Sequence, residues 1–107
     1  MKIEVLYVAD CPSHPAAMKL VREVLSSEGV AADVREVLVT DQLMARNLAF
    51  SGSPTIRING KDVAEESSQR KSFALSCRLY PGSAEIGLPP VAMVRRAVVK
   101  AREENAS

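Results

Sequence analysis

A strand-like run followed at once by a helical repeat constrains this chain more than any other feature. Residues 2–9, KIEVLYVA, are almost continuously apolar after Glu4 and rich in β-branched side chains, the pattern of a strand buried on both faces of a parallel or mixed sheet. From about Ala16 to Glu28, apolar residues recur at 17, 20, 21, 24 and 25, with Lys19, Arg22 and Glu23 among the others and Gly29 as the stop. That spacing puts one apolar stripe on a helix. Residues 32–39, ADVREVLV, return to a strand pattern with a more polar first half, as expected near a sheet edge. Strand, helix and strand in this order predict parallel pairing through a right-handed crossover.

The remaining elements follow by the same reasoning. Thr40 or Asp41 can cap a short second helix through about Ala49, with Leu43, Met44 and Leu48 as its inward face. After Gly52-Ser53-Pro54, the alternating run Thr55-Ile56-Arg57-Ile58 meets Asn59-Gly60, a strong two-residue hairpin signal, with Lys61 to Ala64 as the return strand. From Pro90 to about Glu103, apolar positions 91, 94, 98 and 101, with 93 and 97 beside them, predict a third helix that starts after Pro89-Pro90. The expected order is βαβαββα, an α/β fold with a mixed four-stranded sheet covered by helices. Residues 65–88 show no clear period and form a long loop, in which Ser72 to Tyr80 could make a further strand or turn of helix. No repeat or linker divides the 107 residues, which predicts one domain over 1–107.

Composition narrows the classes of function. Fourteen basic against thirteen acidic residues leave a net charge of +1, with no basic block beyond the pairs Arg70-Lys71 and Arg95-Arg96. Nucleic acid binding, which needs a clustered basic footprint, is not expected. No uncharged stretch approaches the roughly 20 residues that span a bilayer, so no membrane partner is expected either. Glu4 falls where a signal peptide would need its apolar region, which points to a cytoplasmic protein. With no Trp and only two Phe and two Tyr, the core must be aliphatic.

Two cysteines in a reducing compartment do not make a disulfide scaffold, so Cys11 and Cys77 are read as reactive thiols, metal ligands or small buried hydrophobes. Cys11 lies in Asp10-Cys11-Pro12-Ser13-His14-Pro15, between the first strand and the first helix. Unpaired N–H groups and the helix dipole there favour thiolate over thiol, while the adjacent Asp10 carboxylate opposes it. His14 could pair with the thiolate, shuttle a proton to a leaving thiol, or sit exposed in the first turn. Ser13 is expected to cap the helix, and Pro12 and Pro15 to stiffen its entry. Cys77 could resolve a mixed disulfide on Cys11 or clamp a soft metal ion with it; a disulfide requires their Cα atoms within about 7 Å.

The element order, the Cys11-Pro12 step between strand one and helix one, and Ser53-Pro54-Thr55 at the start of strand three together resemble the thioredoxin-like superfamily. The resemblance covers nearly the whole chain except the 65–88 loop. Within the superfamily the chain is similar to a small group in which S-P-T-I-x-I-N-G precedes a Cys-Arg-x-Tyr segment, here Cys77-Arg78-Leu79-Tyr80. The likeness implies that Pro54 is cis and lies beside the reactive cysteine. It also implies that Ser53 offers its backbone to a substrate segment, with Pro12, Pro54 and Thr55 completing the groove. A dithiol member would read Cys-x-x-Cys, whereas here the fourth position is His14 and the usual resolving thiol is absent.

Two functions follow as expectations. The first is a thiol:disulfide oxidoreductase in which Cys11 is the nucleophile, exchanging through a mixed disulfide with a protein or small-molecule partner. Cys77 or an external thiol such as glutathione would then resolve it. The second is a binding module in which Cys11, with His14 or Cys77, captures a thiophilic ion such as mercury, or a thiol-bearing partner, without turnover. A redox-silent interaction domain is the bland third possibility. No cofactor is implied.

Overall fold

In a computed structural model of the chain, which describes residues 1–50, 52–64 and 88–106, the first apolar run becomes the central strand β1 (Lys2–Tyr7). It is flanked by β2 (Asp33–Leu38) on one side, with β3 (Thr55–Ile58) and β4 (Lys61–Asp62) on the other, in the order β2-β1-β3-β4. β1 and β2 are parallel, with Val5 opposite Glu36 and Tyr7 opposite Leu38. β1 and β3 are antiparallel, with Val5 opposite Ile56, and β3 pairs antiparallel with β4. The fold is thus α/β, with a mixed four-stranded sheet and three helices among the described residues.

The sheet is covered on both faces because β1 is apolar on both. Ile3 and Val5 point into a main core with Val21, Val24, Ile56, Ile58, Val94 and Val98, under α1 (His14–Glu28) and α3 (Val91–Ala106). Leu6, on the opposite face by strand alternation, enters a smaller core with Val39, Ala45 and Phe50 under α2 (Gln42–Asn47). α1 and α3 are joined at the rim, where Glu28 meets Arg95 and Arg102 at 3.5 and 3.4 Å. Exposed pairs of this kind contribute little beside the core.

Asn59 and Gly60 have φ of 53° and 83°, the two consecutive left-handed residues of a type I′ hairpin turn, whose twist matches that of paired strands. β4 stops at Asp62, short of the expected Ala64. The Asp62 carboxylate accepts the Ala64 N–H at 2.9 Å, an Asx turn that draws the chain out of the ladder.

Helix ends differ from expectation for local reasons. α1 starts at His14 rather than Ala16, since Pro15 is well tolerated in a first turn. Ser13 is the N-cap residue, but its side chain makes no cap bond. Its φ and ψ of −91° and −7° are helical, and only its carbonyl caps, accepting the Ala17 N–H; a side-chain cap needs a more extended residue. Gly29, at φ 63°, ends α1 with its own N–H on Ser26 O and the Val30 N–H on Leu25 O, a Schellman pair. Between Thr40 and Asp41, the cap of α2 is Asp41: it is extended and accepts the Met44 N–H at 2.8 Å. That cap turns Leu43 outward, 65% exposed, and makes Ala45 the buried residue of the helix. Leu43 is therefore not part of the inward face, while Met44 and Leu48 pack partly against the small core. Cys77 and the element expected between Ser72 and Tyr80 lie outside the described residues.

Candidate functional site

The candidate site is assembled at the carboxyl end of β1 by one residue's backbone. The Val8 N–H donates to Ser53 Oγ at 3.1 Å, and the Val8 carbonyl accepts the Cys11 N–H at 3.3 Å. One peptide group on each side of Val8 therefore ties the cysteine turn to the Ser53-Pro54 loop. Residues between Val8 and Cys11 form a tight turn in which Asp10 has φ 60°. A left-handed third residue marks a type II turn, and Asp is among the few non-glycine residues that accept it.

Cys11 is half-buried and carries a free thiol; among the described residues no hydrogen bond reaches its sulfur. Pro12, which follows it, is exposed. Ser13 then intervenes before the helix, so the thiol lies two residues ahead of the cap rather than on it. The His14 N–H is spent on the Cys11 carbonyl, at 3.3 Å, and Pro15 has no N–H to give. Two of the first turn's backbone donors are thus withdrawn from the thiol, which weakens the helix-end argument made from sequence.

The loop across from it is locked. The Ser53–Pro54 peptide bond is cis, the isomer that the thioredoxin-like resemblance implies. Thr55 Oγ1 donates to the Gly52 carbonyl at 2.6 Å. Gly52 to Ile56 are all buried, with Ser53 and Thr55 fully so. Ser53, the residue that the resemblance implies would pair with a substrate segment, is therefore closed to solvent in this structure. The Arg57 guanidinium steadies the approach to this loop by donating to the carbonyls of Leu48 and Ala49, the latter at 2.9 Å. Replacing Ser53 by alanine leaves the partly buried Val8 N–H without its acceptor. It should cost about 1–2 kcal/mol, read as a lowered urea midpoint at unchanged slope; no change in midpoint would mean that water takes the acceptor's place.

His14 occupies a position that sequence reasoning did not consider. Its ring lies on that of Tyr7, with centroids 3.7 Å apart and planes 2° from parallel. Its Nε2 is 2.8 Å from Glu36 Oε1 but lacks the directed geometry of a hydrogen bond, so the contact is a close approach of ring nitrogen and carboxylate. Tyr7 and Glu36 were not among the candidates. A signal for Glu36 exists: it shares a strand face with Val34 and Leu38 and breaks that side's apolar alternation. Beside this group an open groove of about 570 Å³ runs along α1, lined by His14, Met18, Arg22, Ser26 and Glu36 among others. Among the described residues no three His, Cys, Asp or Glu side chains gather as a metal ion would need, and no helix is long and apolar enough to cross a membrane.

The chain matches no family model, no curated protein and no solved structure. What fold and site define, among the described residues, is an α/β arrangement in which one free thiol follows the central strand and its turn is tied through Val8 to a buried cis-proline loop.

Proposed function

We propose that this is a thioredoxin-like, single-cysteine thiol:disulfide exchange protein of the cytoplasm, with Cys11 as its nucleophile. The observation that carries the reading is the shared Val8 peptide linkage, which holds the Cys11 turn and the Ser53-Pro54 loop side by side. The Cys11 thiolate attacks one sulfur of a partner disulfide, forming a Cys11–S–S–R bond and releasing the second sulfur as a thiolate, which takes up a proton from water. A second thiolate, from an external thiol such as glutathione, then attacks the R sulfur, forming the new disulfide and returning Cys11 to its thiolate. Where Cys77 resolves, its thiolate attacks the Cys11 sulfur instead, forming a Cys11–Cys77 disulfide and releasing R as a thiolate. Position four of the motif is His14, so no sulfur within the motif can perform this step.

The test is to incubate the reduced protein with oxidised glutathione and map both thiols by peptide mass. The expected result is a glutathione adduct on Cys11, reversed by excess reduced glutathione, and no exchange in Cys11→Ser. Conversion of that adduct to an internal bridge would identify Cys77 as the resolving thiol. If Cys11 stays unmodified and is also inert to iodoacetamide at neutral pH, the reading fails.

A further inference from the structure

We infer that His14, Tyr7 and Glu36 form a positioning lock for Cys11, an inference that rests on the reading of Cys11 as the exchanging thiol. The cysteine is three residues before His14 and bonded to it: the His14 N–H donates to the Cys11 carbonyl. On its other side Cys11 is bonded to Val8, which is the anchored end of the sheet. His14, at the other end of this short span, is the first residue of α1, and contacts that fix its ring steady the turn that carries the thiol. Two contacts do so, one from each strand beneath it. Tyr7, the last residue of β1, lies flat under the imidazole, and Glu36 of β2 approaches its Nε2 from the side.

The arrangement is specific. Glu36 stands opposite Val5 in the parallel register, a site whose other occupants on that face of β2 are Val34 and Leu38. A carboxylate there gives up apolar contact at the edge of the core, and what it meets is the His14 nitrogen, itself shut off from solvent. The strength of both contacts depends on the charge of the ring. A charged imidazole makes an ion pair with Glu36 and a cation–π contact with Tyr7, whereas a neutral ring retains only a face-to-face stack, the poorer geometry for two aromatic rings. The other charged groups around His14 are Lys19, Arg22 and Glu23 of α1, which share its groove, and Asp10 in the turn before it. Lys19 is paired with Glu23 at 3.8 Å, which leaves Glu36 as the carboxylate in contact with the ring. His14 on this view is a positioning residue. It acts on exchange through the backbone of Cys11, and its own protonation state sets how firmly the turn is held.

The experiment compares wild type with Glu36→Gln and His14→Phe in the full chain, with folding checked by circular dichroism. Iodoacetamide modification of Cys11 is followed by peptide mass from about pH 5 to 8, the range in which imidazole changes charge. The wild-type rate profile should differ in shape from that of His14→Phe, which has no imidazole. Glu36→Gln, which keeps the stack on Tyr7 but loses the ion pair, should fall between the two, with a rate change of up to about fivefold from wild type, the size of effect one partly exposed ion pair can exert. Profiles of the same shape in all three proteins overturn the lock. Amide hydrogen exchange at Cys11 and His14 gives a readout independent of thiol chemistry. Faster exchange in both variants supports the lock even if Cys11 proves inert, an outcome that removes only the exchange function; unchanged exchange overturns the lock even if Cys11 reacts.

Discussion

Phe50→Ala should lower the free energy of unfolding by about 3–5 kcal/mol, the range for truncating a fully buried aromatic residue. Phe50 is the largest fully buried side chain of the chain's described residues, and the core that holds it is small, with Leu6, Val39 and Ala45 as its other buried members. So few neighbours cannot close over the volume a benzyl group leaves. The Phe50 N–H also donates to the Ala45 carbonyl at 2.8 Å, so the same residue ends α2 and begins the descent to Gly52 and Ser53. Urea unfolding should show a lower midpoint, and Phe50→Leu, which refills much of the space, a smaller loss. A cost under about 1 kcal/mol for the alanine variant, far below that range, would mean that the α2 face of the sheet is not a packed core.

Ile56→Ala is the second large effect, about 2–5 kcal/mol, with Ile56→Val at about 0.5–1.5 kcal/mol. Ile56 is fully buried in the main core and lies directly across from Val5 in the centre of the sheet. Its carbonyl accepts the Val63 N–H at 3.0 Å, but truncation leaves that backbone bond in place, so the loss reports side-chain packing under α1 and α3. Because both cores share β1, both alanine variants should shift one cooperative transition with an unchanged denaturant slope. A second, earlier transition in Phe50→Ala alone would show that the α2 face unfolds separately.

The two cores were unequally legible in the sequence. The main one could be read largely from its spacing: of the apolar positions marked, 17, 21, 24 and 25 of α1 and 94, 98 and 101 of α3 are buried, because a long amphipathic helix repeats its signal over several turns. Leu20, however, is only partly buried, Met18 takes a buried place that the pattern did not mark, and Val91, in the first turn of α3, is 47% exposed. α2 has six residues, too few for a period to define a face, and with Asp41 as its cap Leu43 points outward. Asn59-Gly60 was readable because the turn's chemistry lies within two residues, whereas the early end of β4 depended on where the Asp62 carboxylate turned. At the site, Cys11 stood out by its place between strand and helix. The nearness of Ser53 to it came only from a family likeness, and the structure supplies the bond through Val8 that gives it a physical basis.

Local pattern by itself determined the order of strands and helices, the parallel start, the hairpin, and a lone thiol without a second cysteine in its motif. Each of these depends on residues close together in the chain, where the period of the backbone decides which side chains share a face. Tertiary structure decided what touches the thiol's surroundings. Glu36 reaches His14 because the parallel register sets it opposite Val5 and the α1 crossover lays the helix start over both strands. Ser53 reaches Val8 because β3 pairs with β1 over a separation of 45 residues. Register is a property of two paired strands together, and a shift of one residue would turn Glu36 to the other face, so the partner of His14 is written in no single stretch of the chain.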